Sequence, residues 1–478
     1  MSTTTGQTRT LPVIALAALV VGSMVGAGVF SLPSTFGAAT GVIGSLVAWA
    51  LAGFGMLCFA LLLQRLAVRK ADLDAGIFAY AKAGFGEYPG FLSAFGYWAS
   101  ACAGNVTYWV LICSTVGAVI PALGDGATPL AILVSSIGTW AFFFMIRRGI
   151  RQAAIANVVV TVAKTVPLLT FLLIVVFVGF DPAIFAANLW GGDGTPDLGA
   201  IAGQIGSTLL LTVFVFLGIE GASVYSRLAR TRRDVGRATV MGFLGVLLLF
   251  VAVTFLPYGV MTREELGALR EPSVGGVLQA VVGDWGAWLI GIGLIVSVLG
   301  AYLAWTLMAA EVLFAAARDG VVPKSFTHLN GFGVADRSLL WSTLLVQALL
   351  VLVAFSEDAF TLAYSLCSSL CLISYFLSAA YGFKLETKWG DDPGGRSRGG
   401  LALGILATVY TLFLLIAGGA EYLLVSFLIL VPGTALYAAA RRQRGLAVFR
   451  RRDLVVFVLL AVAAVAALVA LLTGFIVI

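Results

Sequence analysis

Apolar runs of ~20 residues, each long enough to cross the ~30 Å hydrocarbon core of a bilayer, recur from end to end of the chain between short polar connections. Thirteen can be drawn, at roughly 12–34, 41–63, 90–118, 128–146, 153–179, 203–226, 238–260, 284–315, 338–355, 359–383, 400–417, 420–438 and 454–476. The expectation is an all-α polytopic membrane bundle. Arg9 precedes the first run as it would in a signal peptide, but the run is too long and too rich in glycine for one and shows no convincing cleavage site. It is therefore expected to stay as span 1.

Two runs are interrupted. The first holds Gly22-Ser-Met-Val-Gly26-Ala-Gly28-Val-Phe-Ser-Leu-Pro33, and the sixth holds Phe216-Leu-Gly218-Ile-Glu220-Gly221. Mid-helix glycine costs ~1 kcal/mol against alanine. In lipid, an unwound turn also frees backbone groups that must find partners inside the protein. Paired breaks at corresponding places indicate discontinuous helices that hold a small polar substrate near mid-membrane.

Spans 1–5 and 6–10 each open on a broken helix, and five is odd, so the two sets are expected to be inverted relative to each other. The organisation read from this is a transporter core over 1–440. Repeat one lies at about 12–179, repeat two at about 203–383, and two further helices at about 400–438. Residues 441–478 add a basic loop and a thirteenth span. No soluble domain is evident.

Composition narrows the class. The chain is 60% hydrophobic and 11% charged, with a mean hydropathy of +1.04, which excludes a water-soluble globule. Its net charge of +6 lies in alternate connections, among them Arg65, Arg69, Lys70 and Lys82, then Arg147, Arg148 and Arg151, then Arg227 to Arg237. Later groups are Arg318 to Arg337, Lys384 to Arg398 and Arg441 to Arg452. The connections between hold mostly acids, such as Asp125, Asp181, Asp193, Asp197, Glu357, Asp358 and Glu421, with Arg263 and Arg270 as exceptions. The positive-inside rule puts the N-terminus in the cytoplasm and, after thirteen spans, the C-terminus outside. Topology accounts for the pI of 9.1 without a nucleic-acid partner.

Cys58, Cys102, Cys113, Cys367 and Cys371 all fall in apolar runs and read as packing residues. The single histidine, His328, lies in a connection, which removes histidine catalysis and histidine metal clusters from the core. No phosphate loop is present. The expectation is no metal, no cofactor and no enzymatic activity, with movement of substrate driven by gradients or exchange.

Three ionisable residues remain within the spans, each needing a reason at ~2.5–3.5 kcal/mol per mid-membrane charge. Glu220 is either a carboxylate that couples a gate to substrate, or a structural acid accepting from freed backbone N–H groups. Lys164 is a built-in cation at the place where sodium binds in related folds, a proton carrier, or a snorkelling lysine. Glu311, about two turns beyond Trp305, is expected to meet the loop bases rather than the substrate.

A broken helix offers N–H groups and the positive end of a dipole, which suits a carboxylate. Gly26, Ala27 and Gly28, with Met24 beside them, supply that half, and carbonyls at Phe216, Leu217 and Gly218 suit an ammonium. Phe214, Phe216, Tyr108 and Trp305 are aromatic neighbours for a side-chain cation, worth ~0.5–2 kcal/mol each. Asn105 offers a polar contact.

Gly22–Pro33, Gly218-Ile-Glu-Gly221, Ser297-Val-Leu-Gly-Ala-Tyr-Leu-Ala-Trp305-Thr-Leu-Met-Ala-Ala-Glu311 and Ala315-Ala-Ala-Arg-Asp-Gly320-Val-Val-Pro323 together resemble the amino acid/polyamine/organocation transporters. Within them the chain looks most like the basic amino acid/polyamine antiporters, above all the arginine:ornithine exchangers and related lysine transporters. The resemblance covers nearly all of residues 10–440 and implies the five-plus-five inverted-repeat fold. It implies a carboxylate site at Gly26-Ala27-Gly28, where similar antiporters carry Gly-Ser-Gly. It sets Ser100, Ala101 and Asn105 beside the substrate's cationic end, with Leu217 next to its amino group. Phe214 stands where a gating tryptophan is found, Trp305 where a middle-gate tryptophan stacks on the guanidinium, and Ser365 matches a span-10 site. Glu220 matches a family glutamate, and Lys164 resembles the span-5 lysine of proton-coupled members.

The function so implied is exchange of cationic amino acids, arginine for ornithine, across the inner membrane. The alternatives are a proton-coupled lysine or arginine importer and a polyamine/amino acid exchanger. The implied partners are the substrate and the bilayer, and a homodimer is compatible with them.

Overall fold

A computed structural model of the protein describes residues 12–70, 73, 77–149, 153–191, 198–220, 232–387 and 397–476. All regular structure among them is helical. Among the described residues twelve helices are long and apolar enough to cross a membrane, and a bent pair at the start, taken as one span, brings the total to thirteen.

Span 1 is that bent pair. Helix Val13–Met24 is followed by a 3₁₀ turn, Ala27–Ser31, and by helix Leu32–Ala39, the two arms meeting at 56°. Spans 2 to 5 are Val42–Arg69, Glu87–Gly117, Pro129–Arg147 and Ala153–Ile174. The last runs on through a π turn, Val175–Gly179. Span 6 is Leu198–Phe216, and span 7 is Arg232–Phe255. Spans 8 to 10 are Asp284–Arg318, Asp336–Val353 and Ala359–Thr387. Spans 11 to 13 are Arg398–Ala417, Ala420–Gln443 and Arg451–Leu472.

Local chemistry sets several of these ends. Thr128 caps span 4 by accepting from the Ala131 N–H, with Pro129 at the first helical position. Ser397 caps span 11 in the same way, through Gly400 N–H. The connection between spans 7 and 8 carries two short helices, Arg263–Gly267 and Ser273–Val282, the first closed by a Thr262/Glu265 capping box.

Four of the main helix pairings map onto one another when five is added to each span number. Span 1 packs on span 7 as span 6 packs on span 2, and span 5 packs on span 8 as span 10 packs on span 3. This exchange of partners is what two similar five-helix units produce, and it puts the two broken spans side by side with spans 3 and 8 across from them.

Span 3 is the innermost element. Its centre, Ala99 to Gly104, is buried small residues, which let neighbouring backbones approach in the absence of a hydrophobic drive between helices in lipid. Buried side-chain hydrogen bonds fix its neighbours. Trp98 Nε1 donates to Ser342 Oγ of span 9 at 2.8 Å, Trp49 Nε1 of span 2 to Thr254 Oγ1 of span 7 at 3.1 Å, and Ser368 Oγ of span 10 to Leu210 O of span 6 at 2.7 Å. Span 13 instead leaves Val455, Leu459, Val462, Val465 and Leu472 exposed, a lipid-facing surface at the rim of the bundle.

Charge pairs lie at the two ends. At the end with more basic residues, Arg65 and Arg69 meet Glu386 at 2.6 and 2.5 Å, and Lys82 meets Asp319 at 2.8 Å. At the opposite end Arg270 meets Asp125 at 3.0 Å.

Candidate functional site

The first break frees backbone groups of both kinds. Val25 leaves the helix at φ −74°, ψ 94° while its N–H still reaches Val21 O. Gly26 is extended, and the 3₁₀ turn starts at Ala27 with no side chain capping its first N–H groups. The carbonyls on the other side of the break have a partner. Lys164 of span 5, 6% exposed, donates from Nζ to Gly22 O at 2.6 Å and to Val25 O at 3.1 Å. The ammonium thus sits between two backbone carbonyls of the first break.

The second break carries the opposite charge. Beyond Phe216 the chain tightens, with Leu217 N–H on Phe214 O at 3.3 Å and Ile219 N–H on Phe216 O at 3.2 Å. Gly218 takes φ 102°, a left-handed conformation that glycine adopts without strain. Its N–H donates to Glu220 Oε2 at 3.1 Å. Tyr375 OH of span 10 donates to the same oxygen at 2.7 Å, and Tyr97 OH of span 3 donates to Oε1. Glu220 thus accepts from one backbone N–H of the break and from two phenols. Gly221, the last residue of the motif, lies outside the described residues.

Between the breaks is a narrow cleft with about 350 Å³ of empty space, its open mouth included. Met24, Gly26, Ala27 and Gly28 line it from span 1, Phe214 and Leu217 from span 6, and Tyr108 and Trp305 from spans 3 and 8. A Cβ on Gly28 would lie 2.6 Å from Val215 Cγ1 and 2.8 Å from Phe214 Cδ1, so glycine is what lets the two broken spans touch. None of the lining residues is ionisable except the phenol of Tyr108 and the thiol of Cys367.

Other expected site residues stand behind this wall. Ser100 spends its hydroxyl on Cys367 O at 2.7 Å, bracing span 3 to span 10. Ala101 is fully enclosed, and Ser365 is buried off the cleft. The Phe216 ring packs on Phe243, Phe250 and Trp49, away from the cleft. Asn105 is 1% exposed and bonds to Thr306 of span 8. Glu311 is exposed and does not line the cleft. Tyr97, Tyr375, Thr306 and Cys367 were not anticipated. For the two tyrosines a signal existed, because a phenol in an apolar span needs a buried hydrogen-bond partner and Glu220 was the obvious acceptor.

Residues 11–427 match the family model for amino acid permeases. The chain belongs to the amino acid permease family. Its relatives include an arginine/ornithine antiporter of Pseudomonas aeruginosa, 46% identical over 96% of this chain and 97% of the relative. An L-lysine transport protein of Corynebacterium glutamicum is 41% identical over 98% and 96% of the two chains. An arginine/agmatine antiporter of Chlamydia pneumoniae is 37% identical over 99% of each.

The permease also shows how the end opposite its basic loops is fastened. Ser34, on the far arm of span 1, donates from Oγ to Glu271 Oε1 at 2.5 Å, and Ser273 N–H reaches Oε2 at 3.2 Å. Ser34 N–H in turn donates to Ser273 Oγ, whose own proton goes to Phe30 O, both at 3.2 Å. Ser114 Oγ of span 3 donates to Glu271 O at 2.6 Å. Glu271 belongs to the connection between spans 7 and 8, and the residue is half-buried. Removal of its carboxyl from water pushes its pKa up from 4.5 to about 7, against the opposing pull of the serine hydrogen bonds.

Proposed function

We propose that this permease exchanges cationic amino acids across the cytoplasmic membrane, arginine against ornithine, by alternating access. The observation that carries this reading is the cleft between the two breaks. Its span 1 wall begins a helical segment with uncapped N–H groups at Ala27 and Gly28, a natural seat for an α-carboxylate. At the second break Leu217, which lines the cleft, offers its carbonyl to the α-ammonium. Tyr108, Phe214 and Trp305 supply aromatic faces for a side-chain cation, with no lysine or arginine among the lining residues to repel it. The names of the full-length relatives, two of which are antiporters of arginine with a second cation, support the same substrate class.

Exchange follows if the empty carrier reorients poorly and substrate contacts stabilise the occluded state through which both directions pass. Swapping two monocations is electroneutral. The basic connections belong on the cytoplasmic side by the positive-inside rule. Ser100, Ala101 and Ser365 then act as supports for the wall, with Glu220 and Lys164 holding the breaks and Trp305 acting as the gate that stacks on the substrate.

A second reading, proton-coupled import, draws on the buried Lys164, whose ammonium is the one mid-membrane cation among the described spans. Uptake of labelled arginine into proteoliposomes separates the two. Exchange requires ornithine inside the vesicles and proceeds without a pH gradient. Equal uptake into empty vesicles, raised by an inward proton gradient, would replace exchange with symport.

A further inference from the structure

Behind the cleft wall, Asn105 carries a buried carbonyl oxygen, Oδ1, without a hydrogen-bond partner. Leaving such an acceptor unpaired is costly, so native structures rarely tolerate one without a reason. The residue sits directly after Gly104 and three before Tyr108 on span 3, both of which line the cleft. Its amide nitrogen, Nδ2, donates to Thr306 Oγ1 at 3.1 Å. Thr306 is 4% exposed and follows the cleft-lining Trp305 on span 8.

Amide nitrogen and oxygen cannot be told apart by shape alone, but here the hydrogen-bond chain decides. Thr306 donates its only hydroxyl proton to Tyr302 O at 2.7 Å, and a backbone carbonyl can only accept. The threonine oxygen can then offer nothing but a lone pair to Asn105. The atom facing it must be the NH₂ group, and Oδ1 must point elsewhere.

We propose that Thr306 is a positioning residue for side-chain selectivity: it locks the Asn105 amide so that its carbonyl oxygen, rather than its NH₂ end, is turned to the substrate's cationic end. The proposal rests on the cationic amino acid reading above. A guanidinium or ammonium presents only donors and fills the vacant acceptor. A neutral ureido group, with a carbonyl in place of one guanidinium nitrogen, meets acceptor with acceptor along that edge. Sites that hydrogen-bond a substrate group discriminate strongly against analogues that cannot return the bond. The specificity so encoded lies one step removed from the cleft, in a residue that need not touch the ligand.

The test is competition of labelled arginine exchange by unlabelled arginine and by citrulline, in proteoliposomes of the wild type and of Thr306→Val, Thr306→Ala and Thr306→Ser. With the threonine oxygen removed, the amide can turn and offer its NH₂ to the citrulline carbonyl. The expected result is a preference for arginine over citrulline that falls about tenfold in Thr306→Val or Thr306→Ala, whichever reconstitutes, while Thr306→Ser keeps the wild-type ratio. An unchanged ratio, even with weaker transport overall, would overturn the proposal, because a merely structural role lowers both substrates together. Absence of arginine exchange in the wild type would instead remove the functional reading on which it stands.

Discussion

The two broken spans meet the same difficulty with opposite charges. At the first break the freed carbonyls Gly22 O and Val25 O are taken by a cation, Lys164. At the second the freed Gly218 N–H is taken by an anion, Glu220. On the reading proposed above, the first break turns N–H groups toward the substrate's carboxylate and the second turns a carbonyl toward its ammonium. Each buried charge, expensive alone, is matched to the kind of backbone group that its break sets free. The supports also differ. Among the described residues Lys164 bonds to backbone carbonyls, whereas Glu220 is shared with two tyrosines from spans 3 and 10.

The largest expected effect of breaking this comparison is at Lys164. Lys164→Met removes the one ammonium that serves both carbonyls and leaves them buried and unpaired, at ~1–3 kcal/mol each. Exchange should fall by at least about tenfold, with a lower melting temperature in detergent, and wild-type behaviour in both would remove the lysine from the first break.

Next comes Gly28→Ala, whose new methyl would press on Val215 and Phe214 and hold the two breaks apart. Gly26→Ala is its control, since the nearest side-chain atom to that Cβ, Tyr108 OH, is 3.7 Å away. Arginine affinity should drop about tenfold in the first and little in the second, by the ~1–3 kcal/mol of overpacking. Equal affinities would mean that the close contact of the breaks is not needed for binding.

The second break is the better buffered. Tyr97→Phe and Tyr375→Phe should each cost ~1.5–3 kcal/mol for a hydrogen bond to a charged group. Neither should add much in a Glu220→Ala background, a coupling read from a double-mutant cycle of exchange rates. Additive losses would show that the tyrosines act independently of the carboxylate.

The smallest effect is at the far end, where Glu271 fastens span 1. In the folded protein this carboxyl keeps its proton up to about pH 7, against 4.5 for the free group. The unfolded chain releases its proton first as pH rises, so this contribution to stability is present at acid pH and is lost between about 4.5 and 7. The melting temperature should decline by about 2 °C over that range in the wild type and by less in Glu271→Gln. Parallel profiles would place the carboxyl in open water.

Much of this was legible in the sequence because lipid imposes severe local rules. Glycine clusters inside apolar runs marked the breaks, and Lys164 and Glu220 stood out as charges where charges are rare. What the sequence hid is partner choice. Tyr97 and Tyr375 lie 123 and 155 residues from Glu220. Span 3 is buried almost all round, so no polar stripe tells which face meets the cleft. Ser100 and Asn105, one helical turn and a fraction apart, look equally suited to a ligand. Only the packed bundle shows that one hydroxyl is spent on Cys367 O while the other side chain keeps an acceptor free.

The division of labour between the breaks is tested most directly by comparing arginine with agmatine, the same guanidinium side chain without a carboxylate, as competitors of labelled arginine binding to the purified protein. The account predicts that arginine displaces the label at least about tenfold better, because the N–H groups at Ala27 and Gly28 have a carboxylate to hold only in arginine. Equal displacement would contradict it, since the first break would then contribute nothing to recognition.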